Sequence, residues 1–161
     1  MALSLIFNIA IYYVAIFWAG MIFFPNWNIT KKVMSSYLPF VPLSLLYIYY
    51  LLTTTDPGSL SGAFNPNLAE YAKLFSSEGG ALVVTIHFLA MDLFAGRWIY
   101  WQGQKKSIWT IHSLFLCLFF APAGLLSHAI TDTFFSKKED NLNDSDLKEK
   151  KSDTTDISVN Q

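Results

Sequence analysis

Three ionisable side chains stand inside one apolar run: His87, Asp92 and Arg97, within the stretch from Gly79 to Tyr100. An ionisable group near the middle of such a run is costly in lipid and is usually functional or paired, so His87, Asp92 and Arg97 are the candidate functional residues. His87 and Asp92 are five positions apart, which in a helix is about 7.5 Å of rise and about 140° of rotation. Asp92 and Arg97 repeat the interval. Neither spacing is that of a close intrahelical pair, so Asp92 needs a partner on another helix, a long reach by Arg97, or a proton. The three histidines, His87, His112 and His128, show no HxxxH or HxxH spacing, so no di-iron site is expected. The single cysteine, Cys117, excludes an internal disulfide and a zinc site built from several cysteines. The structural alternative for each polar residue is glue between helices, or an anchor at a helix end.

The elements that must position these residues are long and apolar. Hydrophobic residues make up 53% of the 161, and charged residues 14%, against about 25% in soluble domains. About half of the charges fall after Ser136, so the first 135 positions have too few to cover a water-facing surface. Four runs approach the ~20 residues that cross a hydrocarbon core: Leu3–Phe24, Val33–Leu52, Ala81–Trp101 and Ser107–Thr133. The expectation is an all-α, four-helix transmembrane domain over 1–135 and a polar, disordered tail over 136–161. Pro39 and Pro42 should kink the second span, and Pro122 with Gly124 should bend the fourth. Asn67–Phe75 patterns as a short amphipathic helix, with Leu68, Tyr71 and Phe75 on one face.

If spans three and four pair antiparallel, His112 comes level with Gly96 and Arg97, Asp92 with Leu116, and His87 with 121–123. Pro122 leaves the Leu118 carbonyl without its helical donor, and small residues there allow close approach. His112, Gly96, Pro122 and Gly124 are thus expected as supporting or packing residues. Lys31, Lys32, Lys105 and Lys106 lie in two short loops, which the positive-inside rule places on the cytoplasmic or equivalent face. Both termini then lie opposite, although Lys137 and Lys138 argue the other way.

Other functions find no support. The net charge of -1 supplies no basic stripe for nucleic acid. No phosphate loop and no nucleophile elbow is present. The N-terminus has no basic segment ahead of its 22-residue uncharged run, so a retained helix is expected rather than a cleaved signal.

The run from His87 to Ile99, with Phe120-Ala121-Pro122-Ala123-Gly124-Leu125-Leu126, resembles a known family. It is the membrane protein family related to the plant plastid protein needed for neoxanthin formation in abscisic acid biosynthesis. The family pattern is a His, then Ala-x-Asp-Leu-Phe-x-Gly-Arg-Trp, and later Gly/Ala-Pro-x-Gly-Leu-Leu. The likeness covers residues 1–135. It implies a role in carotenoid and xanthophyll metabolism. Conversion of violaxanthin to neoxanthin opens an epoxide and forms an allene, which calls for an acid at the epoxide oxygen and a base for a carbon-bound proton, with no redox cofactor. The resemblance thus implies His87 and Asp92 as the catalytic acid and base, Arg97 as the group that orients Asp92 or a substrate oxygen, and no cofactor. With no obvious transit peptide, the expected setting is a bacterial cell membrane or a thylakoid-type membrane.

Three readings follow. The first is a redox-cofactor-free isomerase acting on an apolar terpenoid, with the lipid bilayer and a carotenoid as partners and a homo-oligomer allowed. The second is a non-catalytic membrane scaffold or lipid-binding partner protein. The third is a small channel or proton-coupled carrier using Asp92.

Overall fold

A computed structural model describes residues 2–54 and 67–135. The expected tail, 136–161, lies outside the described residues. Among those described, all regular structure is helical. The helices are α1 (Ala2–Phe23), α2 (Asn28–Ser35), α3 (Val41–Thr54), α4 (Leu68–Ser76), α5 (Glu78–Lys106), α6 (Ile111–Phe119) and α7 (121–135).

α5 is the axis against which the rest is read. The Ser77 hydroxyl caps its start by accepting from Gly80 N–H at 3.0 Å. Glu78 in the first turn and Lys105 and Lys106 in the last match the helix dipole. α1 runs parallel to it. Trp18 packs on Gly96, where an added Cβ would lie 2.9 Å from the indole Cζ3. Tyr100 Oη and Gln104 Nε2 both donate to the carbonyl of Pro25, at 2.7 and 3.2 Å, pinning the α1–α2 turn.

α2 and α3 together make the second apolar run, broken rather than merely kinked. Ser36 is extended, and Pro39 pushes the residue before it out of helical conformation. Pro42 falls in the first turn of α3, where no N–H is needed. The pair runs antiparallel to the whole of α5. Met34 meets Arg97, Phe40 meets Phe94 with ring centroids 6.0 Å apart, and Tyr47 meets His87 at 5.6 Å. Thr54 lies against Gly79. The expected amphipathic segment is α4, capped by Asn67 Oδ1, which accepts from Ala69 N–H.

The last run departs from expectation. One bent span over Ser107–Thr133 would hold Ser113 and Ser127 about 21 Å apart. Their hydroxyls are 3.1 Å apart. His112 Nε2 is 3.0 Å from Thr131 Oγ1, and Lys106 is ion-paired with Asp132. The chain therefore turns back at Phe120 (φ −145°, ψ 84°), making α6 and α7 an antiparallel hairpin. Pro122 cannot donate to Leu118. Gly124 then sits so near Cys117 that an added Cβ would lie 2.5 Å from the cysteine Cα. No larger residue fits this crossing.

α6 lies antiparallel on α5, with Cys117 Sγ 4.0 Å from the Asp92 carbonyl. The turn at Phe120 consequently falls level with the middle of α5, so the hairpin covers only half that helix. The expected facing of His87 and 121–123 does not occur, because the chain has already turned back. Among the described residues two helices, α1 and α5, are long and apolar enough to cross a membrane, and α3 is a shorter apolar helix. Trp18, Met21, Met34, Leu43, Ile86, Leu93, Tyr100 and Leu114 are buried between the helices. Tyr12, Ile16, Leu45, Leu52 and Phe119 are exposed outside them.

Candidate functional site

Asp92 is the central residue of the 29 in α5. Its carboxyl is partly buried and makes no hydrogen bond or ion pair with any described residue. The last turn of α6 lies beside its backbone. Further toward the start of α5, Ala81 and Phe88 are exposed, since the hairpin does not extend that far.

His87 is exposed, with its ring tilted at 46° to Tyr47. Steps of about 100° per residue place Met91, Val84, Ala95 and Phe88, in that order, on the arc between His87 and Asp92. Met91 and Phe88 are each 54% exposed. Leu82, Ile86, Leu93 and Gly96, on the opposite arc, are buried. The two residues thus border an outward apolar strip, His87 on the α3 edge and Asp92 on the α6 edge. They form no hydrogen-bonded dyad. A flat apolar molecule lying on Phe88 and Met91 would meet an imidazole along one side and a carboxyl along the other.

Arg97 does not reach Asp92. Its Nε donates to the Met34 carbonyl at 2.6 Å and its Nη2 to the Ser35 carbonyl at 3.4 Å. Both carbonyls are freed where α2 stops, and an arginine satisfies such a helix end well. Trp101 Nε1 donates to the same Met34 carbonyl at 3.0 Å. The guanidinium lies 4.7 Å from the centre of the Tyr37 ring. In this geometry Arg97 is a cap on the α2–α3 break.

The supporting residues fall at separate places. Gly96 receives Trp18 of α1. His112, paired with Thr131, ties the base of the hairpin. Pro122 and Gly124 form its turn. Tyr47, Trp101 and His128 are not among the residues that the sequence singles out as a site. His128 is 1% exposed, stands edge-on to Trp98 at 5.2 Å, and among the described residues none partners its Nδ1. The aromatics of Tyr47–Tyr50 are a composition signal for a span end, but nothing local in them shows the contact of Tyr47 with His87. Among the described residues no three His, Cys, Asp or Glu side chains gather as a metal site would require.

Comparison with known proteins agrees with the motif. The family model described as ABA DEFICIENT 4-like matches residues 5–128, which include every residue of the strip and the hairpin turn. Protein ABA DEFICIENT 4, chloroplastic, of Arabidopsis thaliana is 39% identical over 127 residues. That alignment covers 76% of this chain and 58% of the relative, so the chain spans less than two thirds of the relative's length. No solved structure matches. With the family model covering most of its length, the chain belongs to the ABA DEFICIENT 4-like family.

Proposed function

We propose that this chain is an integral membrane protein of a bacterial cell membrane or thylakoid-type membrane that acts in carotenoid metabolism. In this reading it isomerises a long apolar terpenoid without a redox cofactor. The observation that carries it is Asp92: a carboxyl at the middle of the longest apolar helix, with no hydrogen-bond partner among the described residues, on the edge of an outward apolar strip. Such a group is costly in lipid and marks function. Asp92 delivers a proton to a substrate oxygen, and His87, across the strip, accepts one from carbon. The strip opens sideways, so the substrate enters from the bilayer rather than from water.

Membership of the ABA DEFICIENT 4-like family supports the carotenoid setting. The lengths of α1 and α5 and the apolar outward faces support the membrane setting. In this reading three segments cross, α1, the α2–α3 pair and α5, while α6–α7 enters halfway and returns. Backbone that turns inside a membrane must find its hydrogen-bond partners within the protein; here Phe120 N–H donates to the Leu116 carbonyl at 2.8 Å and Gly124 N–H to the Phe120 carbonyl at 3.0 Å. The return puts the end of α7 beside Lys106. Residue 135, where α7 ends, then lies on the same side as Lys31, Lys32, Lys105 and Lys106, as the orientation rule for short basic loops asks.

The non-catalytic scaffold reading is favoured by one observation, the use of Arg97 as a structural cap. The two are separated by supplying a xanthophyll epoxide to the protein in nanodiscs and following pigments by chromatography. Conversion by the wild type, lost in Asp92→Asn, is expected. Binding of pigment without conversion would leave the scaffold reading standing and overturn the isomerase.

A further inference from the structure

We propose that the cleft between α1 and the α2–α3 break binds a membrane lipid with an anionic head, distinct from the strip at Asp92. This rests on the membrane reading above. The cleft exists because α2 stops at Ser35 and α3 begins at Val41, so the chain between them does not close against α1 as a helix would. It is held by Tyr13 Oη, which donates to the Pro39 carbonyl at 3.1 Å. The space is about 320 Å³, lined by Tyr13, Phe17, Val33, Leu38 and Pro39, with Lys32 and Ser36.

Its charge and its depth point to one class of ligand. Lys32 is exposed and has no ion-pair partner among the described residues. Asp132, the described carboxylate near the lysine end, is taken by Lys106. Ser36 Oγ accepts from Leu38 N–H at 3.0 Å, which leaves its own proton to donate. Two donors therefore border an otherwise apolar wall. They are also ordered along the bundle. Lys32 is near the end that carries Lys105 and Lys106, since Met34 meets both Arg97 and Trp101. Pro39 and Tyr13 are near mid-height, since the adjoining Phe40 meets Phe94 edge-on.

The gradient from cation to hydrocarbon thus runs from the lysine end toward mid-bundle over about 10 Å, within the ~15 Å depth of one leaflet of a ~30 Å core. A head on Lys32 and Ser36 with an acyl chain on the wall satisfies both parts. A neutral polyene would leave the ammonium beside hydrocarbon without a counter-charge. A free anion would leave the apolar wall uncovered. Basic pockets between helices on this side of a membrane suit anionic headgroups.

The test is native mass spectrometry of the full chain released from nanodiscs of equal phosphatidylglycerol and phosphatidylcholine. The wild type should retain phosphatidylglycerol in preference. Lys32→Gln should cut that preference about fivefold, the worth of one lysine at an anionic surface. Ser36→Ala should cut it less, and Lys105→Gln, outside the cleft, should leave it unchanged. Equal retention of the two lipids, or equal effects of Lys32→Gln and Lys105→Gln, would overturn the site. So would displacement of the lipid by excess soluble glycerol phosphate. A wild type that carries neither lipid and stays in the aqueous fraction would refute the membrane reading itself, which makes the two failures distinguishable.

Discussion

Arg97 offers the sharpest contrast between a structural and a catalytic reading of the same motif. Consider Arg97→Met, which keeps an unbranched apolar stem and deletes the guanidinium. The Nε bond to Met34 at 2.6 Å is charge-assisted, and such bonds contribute about 1.5–3 kcal/mol. The Nη2 contact at 3.4 Å is long and adds little. The stacking on Tyr37 at 4.7 Å adds about 0.5–1 kcal/mol. Trp101 keeps a hold on the Met34 carbonyl, so that acceptor is not orphaned and the loss stays near the lower bound. The variant should therefore lose about 2 kcal/mol in denaturant titration of the protein in micelles. Arg97→Lys should recover less than half, because an ammonium cannot present the same planar fork. The loss should also be the same when measured on top of Asp92→Asn, since the two side chains share no contact. Full recovery by lysine, or a loss that disappears in the Asp92→Asn background, would refute the capping role and restore Arg97 as the partner of Asp92.

Three further expectations follow from the same geometry. Gly124→Ala should destabilise the protein by about 1–3 kcal/mol, the usual cost of overpacking, as read by thermal unfolding in detergent; a neutral result would mean that Gly124 does not meet Cys117. Asp92→Asn and His87→Ala should each lower conversion of a xanthophyll substrate about 10²–10⁴-fold, the range for a lost general acid or base, with unfolding midpoints near that of the wild type; unchanged rates would remove them from the chemistry. In a Cys117→Ser background, Ser113→Cys with Ser127→Cys should oxidise to an intrachain disulfide, seen as loss of alkylation by mass; two freely alkylated thiols would contradict the hairpin.

Much of this was legible in the sequence, and the omissions have physical causes. Apolar runs announce helices through composition alone, so α1 and α5 were placed within a few residues. Asp92 stood out because a carboxyl amid Met91, Leu93 and Phe94 has no cheap explanation. The fold-back at Phe120 was hidden because a prolyl kink and a reversal share one local signature. What decides between them is the crossing of Gly124 over Cys117, a contact that no local pattern reveals. The partner of Arg97 was hidden for a different reason. Backbone carbonyls carry no residue identity, so a side chain that caps them shows no charge match to find. The available clue was Pro39: a break there must free carbonyls one turn earlier, and a long cation on the neighbouring helix is suited to them. The resemblance to a known family gave the setting but not this division of labour.

In the proposed reading the last apolar run enters the membrane and returns rather than crossing, and that return is what would leave Asp92 and its strip open to the bilayer. Glycosylation or reporter tags fused in turn to the two ends of the membrane-inserted protein test this most directly. Three crossings and a returning hairpin place the N-terminal tag and a tag after residue 135 on opposite faces, with the second on the side of Lys31, Lys32, Lys105 and Lys106. Both tags on one face would mean that the run over Ser107–Thr133 crosses after all, and the hairpin and the open strip would fall together.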